Sequence, residues 1–135
     1  MKRLQTTIIT TFTLLLISFS LPVQENQDIL DQVQKALKSS NSNELAKHLN
    51  DRVKIKLDNN RKEYSINQAK IVLKDFFEAN PADTVSFDHN GNSPGGSLYA
   101  IGTYTSGTLE YRVVARAKKY KGVYKIYHLE LSNSR

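Results

Sequence analysis

The hydrophobic pattern changes period at Asn80-Pro81, and that switch leaves few architectures open. Before it, apolar residues recur mainly every three or four positions, with one alternating run; after it, they alternate throughout. Residues 25–38 (ENQDILDQVQKALK) place Ile29, Leu30, Val33, Ala36 and Leu37 on one helical face. Acidic Glu25, Asp28 and Asp31 come early and Lys35 and Lys38 late, the order that complements a helix dipole. SSNSN over 39–43 breaks this helix, and a shorter one carries Leu45, Ala46 and Leu49. Arg52 to Asp58 alternates as a strand with one wet face, and Asn59-Asn60 reads as a turn. Ser65 opens a third helix with Gln68 at capping-box spacing. Its stripe is Ile66, Ala69, Val72, Leu73, Phe76 and Phe77, and it ends before Pro81 because a residue preceding proline disfavours helix.

Beyond Pro81 the spacing predicts strands over Thr84–His89, Leu98–Thr105, Thr108–Lys118 and Val123–Leu131. NGNSPGGS (90–97) is a loop, while Ser106-Gly107 and Lys121-Gly122 are tight connections. The expected order is two helices, one strand, a third helix, then four strands. Helices first and a β meander later imply an α+β fold, with N-terminal helices packed on a curved, mainly antiparallel sheet.

The first residues read as an address. Lys2 and Arg3 precede an uncharged stretch whose apolar part, IITTFTLLLISFSL (8–21), is shorter than a bilayer span. We expect a signal peptide over 1–20, cleaved after Ser20, then one domain over 21–135. The expected location is exported, periplasmic or secreted. A chain of 135 residues suits one domain. It contains no cysteine, which removes disulfides, thiolate metal sites and a cysteine nucleophile. Charge is uneven: residues 108–135 hold seven basic side chains (Arg112, Arg116, Lys118, Lys119, Lys121, Lys125, Arg135) and two acidic ones (Glu110, Glu130).

DFFEANP (75–81), Phe87, His89-x-Gly91, the YAIGTY run (99–104), Arg112 and Gly122-x-Tyr124-x-Ile126 together resemble DUF4783, a family of small exported Bacteroidetes proteins of unknown function. The resemblance covers roughly residues 25–131. It implies the cone-shaped NTF2-like, or cystatin-like, α+β fold. It implies no activity, so no catalytic positions carry over, but it points to the space between the long helix and the concave face of the sheet.

His89, ending a strand beside a glycine-containing loop, is the most suggestive single residue, as a general base or a ligand contact. Asp88 adjoins it, but strand neighbours point to opposite faces, so only a bulge would let Asp88 orient His89. An isomerase-type site needs an acidic base and acidic donors in an apolar pocket. Tyr99, Tyr104, Tyr111, Tyr124 and Tyr127 offer donors, whereas Glu110 and Glu130 fall out of phase with the apolar positions. Asp75 and Glu78 lie at the edge of the helical stripe. His48, His89 and His128 sit on three elements without ligand spacing, so no metal is expected. The Ser93-x-Gly95-Gly96 loop lacks the lysine of a phosphate loop, and Ser65, Thr103 and Ser106 show no base partner.

The leading expectation is a non-catalytic module of the periplasm or cell envelope that binds a small molecule or an envelope protein. Its candidate pocket is lined by Phe76, Phe77, His89, Tyr104 and Tyr111. One alternative is a small isomerase- or lyase-type enzyme with a pocket in the cone. The other is an interaction protein using a basic sheet face built on Arg112, Arg116 and Lys118, where Tyr120, Tyr124 and Tyr127 interleave with Lys119, Lys121 and Lys125. Neither a cofactor nor nucleic acid is expected. An anionic membrane surface and a second copy of the chain are further partners to weigh.

Overall fold

A computed structural model describes residues 25–135. The expected signal peptide lies outside the described residues. The elements are α1 (Glu25–Lys38), α2 (Ser42–Ala46), β1 (Leu49–Leu57), β2 (Asn60–Ser65), α3 (Ile66–Ala79), β3 (Thr84–Asn92), β4 (Leu98–Ser106), β5 (Leu109–Tyr120) and β6 (Val123–Asn133). They form a six-stranded sheet in the order β2-β1-β6-β5-β4-β3 with the helices packed on one face. All neighbours are antiparallel except β1 and β6, which run parallel with Ile55 opposite Leu129 and Leu57 opposite Leu131. The α+β expectation holds.

The helices start and stop where local chemistry directs. Asn41 caps α2, its side chain accepting from the Glu44 amide at 3.0 Å. Ser65 caps α3 in a complete capping box with Gln68. At the end of α1, Ser40 adopts a left-handed backbone (φ 51°), the Ser40 amide donates to the Leu37 carbonyl and the Asn41 amide to the Ala36 carbonyl. That is a Schellman ending, satisfying carbonyls the helix itself leaves free. The Ser40 hydroxyl then accepts from the Ala82 amide at 2.9 Å, tying α1 to the chain that leaves α3.

One strand differs from expectation. Residues 60–65 form β2, where the pattern suggested only a turn and a helix cap. NRKEYS has no apolar alternation, and four of its six residues are exposed. This edge strand is held by its backbone ladder to β1, closed by a two-residue Asp58-Asn59 turn in which Asp58 takes φ 52°. Leu49 begins β1 rather than closing the second helix, and β3 extends to Asn92, into the expected loop.

The core lies between the α1 and α3 stripes and the inner sheet face. Val33, Leu37, Ala69 and Leu73 meet Val53, Ile55, Val113, Ala115, Ile126, Leu129 and Leu131, all essentially inaccessible to solvent. Strand alternation then dictates the other face: the residues between these point away from the helices.

Candidate functional site

The cone interior is filled by aromatic side chains. Phe76 and Phe77 at the end of α3 meet Tyr104 on β4 and Tyr111 on β5, with ring centroids 5.2–6.4 Å apart. Tyr104 is fully buried, and its hydroxyl donates to the Asn80 backbone carbonyl. The Tyr111 hydroxyl donates to the Asn80 side-chain oxygen at 2.9 Å, and the Asn80 amide donates back to the Phe76 carbonyl at 3.2 Å. Both phenols are pushed up from their ordinary pKa by burial. Their hydroxyls thus cap the end of α3.

Of the five residues expected to line a pocket, the structure gathers Phe76, Phe77, Tyr104 and Tyr111 as packing and sets His89 apart. His89 is exposed on β3, opposite Ile101, just past a bulge. The bulge falls between Phe87 and His89, at Asp88, but Asp88 accepts a hydrogen bond from Ser86 instead. Asp75 is exposed, and Glu78 pairs with Lys74 on the helix surface. Among the described residues no group of three or more His, Asp or Glu side chains could hold a metal ion, and no helix is long and apolar enough to cross a membrane.

The outer sheet face is more distinctive. There β2, β1, β6 and β5 line a groove of about 610 Å³. It presents Arg61 and Glu63 from β2, Arg52 and Lys54 from β1, His128, Glu130 and Tyr127 from β6, and Arg116, Lys118 and Tyr120 from β5. Five side chains are permanently cationic and two are carboxylates. Glu63 pairs with Arg52 at 3.5 Å, and Glu130 with Lys56 at 3.1 Å. Among the described residues no ion pair engages Lys54, Arg61 or Arg116. Lys118 lies against two rings, 5.2 Å from the Tyr120 centroid and 5.0 Å from that of Tyr127.

Electrostatics set the charge states. Burial raises the Glu130 carboxyl, but hydrogen bonds from Lys56 and Ser132 outweigh it and hold its pKa below the ordinary value. His128, 3.6 Å from Glu130, is driven below its ordinary value first by burial and further by Arg116 and Arg61, with Glu130 opposing. At neutral pH the groove therefore holds ionised Glu130, neutral His128 and an excess of fixed positive charge.

Two of the three residues expected on a basic face line this groove. Arg116 stands opposite His128, and Lys118 opposite Lys125. Arg112 shares the face but sits opposite Ser132 and Thr103, outside the groove lining. The expected tyrosine interleaving divides: Tyr120 and Tyr127 join Lys118 on the outer face, while Tyr124 packs against the core with Lys119 over its ring at 5.2 Å. Arg52, Lys54 and Arg61 are the groove residues that sequence reasoning missed. Their alternation on β1 is legible as a wet face, but nothing local indicates that β1 lies beside β6.

The family model described as Domain of unknown function (DUF4783) matches residues 30–132. A DUF4783 family protein from Bacteroides uniformis is similar in structure, with a TM-score of 0.73 at 24% identity over 78% of this chain and 96% of that chain. Another from Bacteroides ovatus gives 0.72 at 24% identity, over 77% and 94%. An NTF2-like protein of unknown function from Shewanella baltica gives 0.62 at 12% identity, over 82% and 92%. No curated protein matches the sequence.

Proposed function

Because this chain belongs to the DUF4783 family and carries the NTF2-like fold, we propose that it is an exported, non-catalytic module of the cell envelope that binds an anionic partner on its outer sheet face. The family brings no assigned activity, so the reading rests on the site. The observation that carries it is the outer groove, where Lys54, Arg61 and Arg116 have no ion-pair partner among the described residues while both nearby carboxylates are already engaged. Unpaired cations gathered from three strands draw anions to the surface and hold them there. The interior supports a binding role over a catalytic one: the tyrosine hydroxyls that could have acted as acids are spent on Asn80.

The test is retention on immobilised dextran sulfate, a generic polyanion. The parent protein should be retained and elute with salt. The double variant Arg116→Glu/Lys118→Glu should flow through at the same ionic strength with an unchanged melting curve, since both side chains are exposed. Equal retention of parent and variant would sink the proposal.

A further inference from the structure

We propose that the ligand of the outer groove is a sugar chain bearing carboxylates, held by cations spread across the sheet and stacked on Tyr120 and Tyr127. This rests on the reading of the outer face as an anion-binding surface and names the class of anion.

The geometry of the charges argues for a chain. Lys54 stands opposite His128, and His128 opposite Arg116, so two cations flank a neutral imidazole in a row running across the strands. Adjacent strands are about 4.8 Å apart, so Lys54 and Arg116 are separated by about 10 Å at the backbone. A small single anion needs donors that converge on one point. Cations spread over β1, β2 and β5 instead match an extended polymer with charges at intervals.

The remaining lining decides which polymer. Glu63 and Glu130 stay in the groove as hydrogen-bond acceptors. They weaken the hold on a densely sulfated or phosphorylated chain without abolishing it, and they accept hydrogen bonds from the hydroxyls of a chain carrying one carboxylate per sugar. The rings of Tyr120 and Tyr127 offer flat apolar faces with polar tips, suited to the C–H face of a sugar ring. Lys118 lies against both rings, so stacking surface and charge form one unit. A lipid surface fits less well. Of the large apolar side chains most exposed on the described residues, Ile71, Leu109 and Val123, none lines the groove, so it has no residue to insert below the headgroups.

Calorimetric titration of the purified protein with polygalacturonate tests this, alongside uncharged dextran, inorganic phosphate and vesicles of phosphatidylglycerol in phosphatidylcholine. Polygalacturonate should bind, and the other three should show no saturable heat. Tyr120→Ala should weaken polygalacturonate binding about fivefold, and Tyr120→Phe should restore it, since stacking needs the ring and not the hydroxyl. Arg116→Gln should weaken binding and flatten its dependence on salt. Equal affinity of Tyr120→Ala and parent would overturn the sugar-stacking inference, while weakening by Arg116→Gln alone would leave the anion-binding reading standing. Tighter binding to the vesicles than to polygalacturonate would replace the glycan with a membrane. Failure to bind both polygalacturonate and dextran sulfate would overturn the two readings together.

Discussion

His128 shows how one side chain reports its surroundings. It faces Lys54 on β1, Arg116 on β5, Arg61 on β2 and Glu130 on its own strand, with Lys56 bound to that glutamate. Burial and the arginines keep it neutral. His48, flanked by Lys125 and Lys47, is likewise held below its ordinary value, chiefly by burial. The unfolded chain therefore takes up protons at both histidines as pH falls through 6.5, while the folded chain resists. Stability from this source is intact above pH 6.5 and declines below it, by at most about 1.4 kcal/mol per pH unit for each proton. Glu130 adds a second decline as pH falls through 4.5, because its folded pKa is depressed. Urea midpoints measured from pH 7.5 to 5 should show the first decline, and His128→Gln should flatten part of it. A parent profile with no loss of stability below pH 6.5 would contradict this.

The pairing of β3 with β4 depends on one position where a side chain has no room. Gly102 lies opposite Phe87, next to the bulge at Asp88, and a Cβ there would stand 1.7 Å from the Ser86 carbonyl oxygen. Backbone cannot yield as the tip of a side chain can, so Gly102→Ala should separate the two strands locally. We expect a loss of about 3 kcal/mol or more, at the upper end for overpacking, read as a lower urea midpoint. Gly91 serves the same hairpin differently: the Tyr99 ring lies over it at 3.1–3.3 Å from where a Cβ would be. The bulge and the two glycines let this end of the sheet bend without losing its ladder.

The molecule as a whole is built around β6. This C-terminal strand pairs with β5 on one side and, in parallel, with β1 on the other. Its inward residues Ile126, Leu129 and Leu131 are wholly buried. Stability should therefore be graded across the sheet. In native-state hydrogen exchange, the amides of Val113 and Leu129 should be the slowest to exchange, and those of Lys62 and Tyr64 on edge strand β2 among the fastest strand amides. Uniform exchange across the six strands would refute that gradient.

Much of this architecture is legible without coordinates because its signals are local. The capping box at Ser65, the helical stripe to Phe77, the stop at Asn80-Pro81 and the alternation of β4, β5 and β6 each lie within a few consecutive residues. Strand β2 was not legible, because an edge strand needs only a backbone partner and NRKEYS carries no alternation. The groove was half legible. Arg116 and Lys118 declare a basic face through the period of their own strand. Lys54 and Arg61 join them only because β1 runs parallel to β6, some 75 residues away in the chain, as with Lys56 and Glu130. Likewise, Phe76, Phe77, Tyr104 and Tyr111 read as apolar positions in sequence. That they fill the cone depends on how far α3 stands from the sheet, a distance set by packing between remote residues and encoded in no single segment.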